Sequence, residues 1–237
     1  MDIFLQLDTW IALLTLTFLE IVLGIDNIIF ISIVAGKLPE HQQNKARLTG
    51  LSLALILRIF LLMGITWLIG LTKTVLTVSS FEFSWRDIIL FVGGLFLLGK
   101  STSEIHHKIE GNEHETEVKK VSAFSSALIQ IVLLDMIFSF DSILTAVGLT
   151  DKIILMIIAV IVSIIVMMIF SGVISAFINK HPTLQVLALS FLMLIGFMLA
   201  IEAFHYHVPK GYIYFAVFFS LIVEVINIKV RKKYKVE

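Results

Sequence analysis

Residues 15–35 read TLTFLEIVLGIDNIIFISIVA, a stretch apolar enough to lie in lipid that still carries Glu20, Asp26 and Asn27. A carboxylate at bilayer depth costs a few kcal/mol or more unless a cation, a proton or water meets it. Residues 130–150, QIVLLDMIFSFDSILTAVGLT, carry the same cost at Asp135 and Asp141, followed by Ser142. Both stretches run acid, five residues, Asp, then Asn or Ser, then Ile, and the interval between copies is the same for both acids. A costly arrangement repeated at matched positions points to a cation site between the copies.

Composition sets the class. Hydrophobic residues make up 58% of the 237 and charged residues 15%, and mean hydropathy is +1.00. Soluble domains average roughly half and a quarter, so the expected fold is an all-α polytopic membrane protein, a single membrane domain in a lipid bilayer. The formal net charge is zero, which gives no ground for a nucleic-acid partner. Cysteine is absent, which removes disulfides, thiolate metal sites and cysteine nucleophiles together. The start, MDIFLQLDTW, has no basic n-region and no small-residue cleavage site, so the first apolar stretch reads as a retained helix.

Counting about 20 apolar residues per crossing, transmembrane helices are expected near 9–35, 47–70, 86–101, 122–149, 153–178, 184–203 and 211–228. The first and fourth are longer than one crossing needs, and they hold the acidic motifs. On an unbroken helix, residues six apart lie roughly 240° round the axis, so Glu20 and Asp26 would not share a face. Gly24 and Ser139 occupy matched positions, and the preferred expectation is that the backbone unwinds there. The other reading is that the acids address different neighbours.

Lys and Arg give an orientation. With the N-terminus outside, inner connections hold twelve of them and outer ones four, leaving Arg58 and Lys100 near or inside the membrane. That bias places the C-terminus and its RKKYK tail in the cytoplasm, against anionic lipid. Helices one to three (9–101) and four to six (122–203) then form two units joined by a cytoplasmic linker, 102–121. Three helices per unit invert the second copy, a 3+3 inverted repeat with a seventh helix (211–228) outside it. Carriers built this way hold their site at the midplane, where the halves meet. GGLFLLGK (93–100) and IGFMLAIE (195–202) align weakly and set Lys100 against Glu202.

EIVLGIDNIIFISIVAGKLP, the arginine-bearing second helix and LLDMIFSFDSILTAVGLT together resemble the TerC family of integral membrane proteins, over nearly the whole chain. The resemblance implies a seven-helix inverted-repeat fold within the LysE-like exporter group. It also implies metal-ion export, chiefly manganese efflux, with a tellurium-resistance label. By motif match it makes Asp26 and Asp141 the central acids, with Glu20, Asn27 and Asp135 around them. Export, rather than import, rests on the resemblance alone.

The residues themselves narrow the chemistry. Glu20, Asp26, Asn27, Asp135, Asp141 and Ser142 offer oxygen donors, which suit magnesium, calcium or manganese, and neither motif contains the imidazole that zinc favours. A metal ion is expected as substrate, with no prosthetic group. Four acids around one divalent ion leave excess negative charge, which protons, Arg58 or Lys100 would offset, Glu202 being a further charge-balancing group. Proton binding would then compete with metal binding. Against this stands a plainer account: the acids pair with Arg58 or Lys100, Asn27 and Ser142 bond across helices, and Gly93, Gly94 and Gly99 allow close packing. Met167 and Met168 read as apolar filling.

The linker STSEIHHKIEGNEHETEVKK places His106, His107 and His114 among acids, and its composition favours a solvated connection over a metal collector. His205 and His207 flank Tyr206 at the end of the sixth helix. An enzyme is not expected. The protease motif Gly-x-Gly-Asp is not met, since 23–26 read Leu-Gly-Ile-Asp, and no Arg/His phosphate cluster suggests a lipid-modifying enzyme. The competing class is a membrane partner that supplies metal to secreted proteins or scaffolds a complex without transporting. A homo-oligomer or a membrane partner stays open.

Overall fold

The structure is a computed structural model describing residues 6–78, 81–110, 123–148, 150, 152–206 and 208–234, without the side chains of Asp26, Val78, Phe81, Ala123, Asp141, Leu144, Thr145, Lys210, Lys232, Lys233 and Tyr234. Its long helices are α1 (Leu7–Gly36), α2 (Glu40–Met63), α4 (Trp85–Ile109), α5 (Ala123–Val147), α6 (Ile153–Lys180), α7 (Pro182–Glu202) and α8 (Lys210–Tyr234). Six are long and apolar enough to cross a membrane, and the apolar part of α5, Phe124–Phe140, is shorter among the described residues. The chain is an all-α polytopic membrane protein.

Local chemistry fixes where the helices begin. Pro39 precedes α2 and Pro182 opens α7, positions where a missing N–H costs nothing. At α4 the Ser84 hydroxyl accepts from the Asp87 amide at 3.2 Å, and Asp87 Oδ2 accepts from the Ser84 amide at 2.8 Å, closing a capping box. The expected helix 47–70 is divided at Gly64 into α2 and a short α3 (Ile65–Gly70). An antiparallel hairpin, β1 (Thr74–Val78) with β2 (Phe81–Ser84), then leads into α4. We call this end of the bundle the hairpin end, and the opposite one, where α4 stops and α5 starts, the linker end.

Two boundaries differ from expectation. The backbone does not unwind at Gly24 or Ser139, for α1 and α5 are continuous helices. Gly24 instead makes room for a neighbour: a Cβ there would lie 2.4 Å from Met167 Sδ of α6. Ser139 donates its hydroxyl to Asp135 Oδ2, one turn back, at 3.0 Å. On continuous helices the positions of Glu20 and Asp26, and of Asp135 and Asp141, fall on different faces. In addition, α4 runs past 101 to Ile109, so the first part of the expected linker is helical; residues 111–122, with His114, lie outside the described set.

The packing follows an exchange of halves. Helix α1 packs on α6 and α5 on α2; α1 meets α7 and α5 meets α4. Helices α4 and α7, the third of each unit, make an extensive contact with each other. Both helices bury leucines, Leu97 of α4 and Leu189 and Leu192 of α7 among them. Helix α8 packs on α7 and turns Phe215, Phe218 and Phe219 outward, where lipid rather than protein solvates them.

Candidate functional site

Arg58, on α2, is 1% exposed and lies between the two repeated acids. Its Nη1 donates to Glu20 Oε2 of α1 at 2.5 Å, and its Nη2 to Asp135 Oδ1 of α5 at 2.9 Å. Glu20 and Asp135 hold the same place in the two copies, so one guanidinium joins the halves. Helix α6, the counterpart of α2, carries no charged residue before Lys180 and buries Ser163, Ser171 and Ser175 instead. A planar fork reaches two carboxylates at once, which a lysine ammonium could not match.

Asp135 is fully engaged. Oδ1 also accepts from Asn27 Nδ2 at 3.0 Å, while Oδ2 accepts from Ser139 Oγ at 3.0 Å and from Arg58 Nε at 3.5 Å. A carboxylate offers about four lone-pair directions, so none is spare in this state. Ser142 donates to the Ser139 carbonyl at 3.3 Å. The structure thus brings Glu20, Asn27, Asp135, Ser142 and Arg58 into one neighbourhood. Asp26 and Asp141 occupy helical positions beside Asn27 and Ser142, and their side chains lie outside the described residues. Among the described residues no three of His, Cys, Asp or Glu gather as a metal-binding group, a count that omits those two aspartates.

From this cluster a cavity of about 50 Å³ extends toward the hairpin end, touching Arg58, Ser142, Met198, Glu202 and Tyr214. One water needs about 10–15 Å³ on this measure, so the space admits a few waters or a partly hydrated ion. Glu202, in its lining, accepts from Arg86 Nη2 at 2.7 Å.

Lys100 is elsewhere. It bonds Glu104 at 2.8 Å within α4, and Lys37, the residue that caps the C-terminal end of α1, reaches the same carboxylate. Neither Lys100 nor Glu202 balances the central acids; that role falls to Arg58. Glu104, expected within a solvated linker, is buried. Arg86, one of the four outer cations of the orientation count, is tied to Glu202. Arg47 is buried too, donating to Ser175 Oγ and Asn44 Oδ1, each at 3.2 Å. His106 pairs with Glu110 at 3.2 Å on an exposed turn, and His205 Nε2 stands 3.3 Å from Asp87 Oδ2. His207 lies outside the described residues.

Fold and site together define a polytopic α-helical membrane protein whose two halves share a buried charged centre. The chain belongs to the integral membrane protein TerC family, whose sequence profile matches residues 5–236. It is 52% identical over 226 residues to the UPF0053 inner membrane protein YgdQ of Escherichia coli K12, covering 95% of each chain. A UPF0053 protein of Haemophilus influenzae is 49% identical over 229 residues, covering 96% of this chain and 97% of that one. The E. coli inner membrane protein YoaE is 47% identical over 235 residues, which are 99% of this chain but 45% of YoaE. No solved structure matches.

Proposed function

We propose that the protein is a carrier that exports a divalent metal ion, manganese first among the candidates, by alternating access through an acidic site between its halves. Asp26 and Asp141 bind the ion, Asn27 and Ser142 add oxygen donors, and Glu20 and Asp135 act mainly as the frame that Arg58 holds. Protons take the metal's place on the carboxylates and move the other way. The protein works in the bacterial cytoplasmic membrane, N-terminus outside and C-terminus inside, a placement supported by the basic connections and by relatives named inner membrane proteins.

The observation that carries this reading is the Arg58 bridge between Glu20 and Asp135. It draws the acids of both copies into one buried cluster with more acid than base, as a cation pathway at the centre of two repeats requires. The cavity leading away from it supplies a route.

The test is metal content in cells expressing the chain, with Asp26→Asn and Asp141→Asn, across manganese, calcium, zinc and tellurite. Expression should lower cellular manganese, and each substitution should abolish the effect. Pure protein in proteoliposomes should carry manganese against a counterflow of protons. Unchanged manganese handling after both substitutions defeats the proposal. A cellular effect without flux by the pure protein would favour the metal-supplying partner.

A further inference from the structure

Glu202 and Arg86 differ from the central cluster in one respect that matters. The side chains of Arg58, Glu20 and Asp135 are 2%, 6% and 5% exposed, whereas those of Arg86 and Glu202 are 23% and 12%. The outer pair can therefore rearrange at far lower desolvation cost than the inner one. Glu202 lines the same cavity as Arg58 and Ser142, so its carboxylate faces the space that reaches the central cluster. Arg86 starts α4 and Glu202 ends α7, so their bond ties the third helices of the two halves at the hairpin end.

A second acceptor waits for the guanidinium. Asp87 Oδ1 lies 3.9 Å from Arg86 Nη1 in the same first turn, and Asp87 is anchored by the Ser84 cap. Arg86 can lean toward Asp87 without losing an anionic neighbour, which frees Glu202 to receive another cation. His205, also facing Asp87, is a further titratable group beside that acid.

We propose that Glu202 is a cation station at the mouth of the cavity and that Arg86 is its displaceable occupant, so that the pair shuts the cavity until a divalent cation takes the carboxylate. This rests on the carrier reading for the identity of the cation, but the gate can be tested without transport. Because the chain contains no cysteine, Met198→Cys, or Ile195→Cys should the first misfold, reports on the cavity alone. Full-length protein in membrane vesicles of both orientations is labelled with a membrane-impermeant maleimide.

Arg86→Gln should raise the labelling rate from the hairpin side by about tenfold, the factor set by about 1.4 kcal/mol. Manganese should raise it in the parent and have no effect with Glu202→Gln. Labelling indifferent to all three changes overturns the gate and leaves the carrier reading intact if flux persists. Labelling that responds as stated, with no flux in proteoliposomes, sinks the carrier reading and keeps the gate.

Discussion

Gly94 of α4 and Gly196 of α7 meet backbone to backbone. A Cβ on Gly94 would lie 2.5 Å from the Gly196 carbonyl oxygen, and one on Gly196 would lie 2.9 Å from that of Gly94. The two glycines occupy the same place in GGLFLLGK and IGFMLAIE, so corresponding residues of the two halves touch each other. Backbone cannot swing aside as a side chain can. Gly94→Ala should therefore cost about 1–3 kcal/mol through overpacking, read as a lower Tm of the purified protein in detergent. Gly99→Ala, with nothing within 4 Å, is the control and should leave Tm unchanged; equal shifts would refute the contact.

Gly24 gives the opposite expectation. The atoms that a Cβ would meet are the thioether sulfur and methyl of Met167, at 2.4 and 3.0 Å, the far end of a flexible side chain. Gly24→Ala should cost no more than about 1 kcal/mol, and Met167→Ala should absorb part of that. If thermal melts instead show Gly24→Ala to be as harmful as Gly94→Ala, Met167 is held too tightly by α6 to give way.

That contrast shows what the residues reveal before the fold is known. The helices and the packing role of Gly94 follow from hydropathy and spacing, which are local properties. The use of Gly24 does not, because a glycine in a helix permits either a break or a close neighbour and only tertiary contacts decide. The same holds for ion pairs. Arg58 was recognisable as a counter-ion, but nothing in its own segment says that it would serve acids from both copies. Lys100 aligned with Glu202, yet each found its partner within helical reach or across the hairpin end. Glu104 was missed because its segment is polar enough to look solvated.

Removing Arg58 should harm the protein more than any other single change considered above. Arg58→Gln leaves Glu20 and Asp135 buried without their cation, a loss of about 3–5 kcal/mol when a buried pair is broken. Little folded protein should be recovered in detergent. Arg58→Lys should fare better yet fall short of the parent, since an ammonium lacks the fixed planar fork through which Nε, Nη1 and Nη2 reach the two acids. The triple change Arg58→Met, Glu20→Gln and Asp135→Asn removes the unpaired charge and should restore folding without restoring manganese flux. A triple variant as unstable as Arg58→Gln would mean that the arginine's packing, rather than its charge, holds the halves.

The linker makes the last prediction. Lys37 and Lys100 both bond Glu104, joining α1 to α4 just before the exposed turn that carries His106 and His107. Deleting 106–114 trims that turn and part of the following connection but keeps Glu104 and both lysines. On the reading that the histidines are solvated, manganese flux into proteoliposomes should stay within about twofold of the parent, a change of about 0.4 kcal/mol. Glu104→Ala should do more damage, because two ammonium groups then face each other at the linker end without their shared carboxylate. A deletion that abolishes flux while Glu104→Ala spares it would reverse the assignment and make the histidines part of the metal's path.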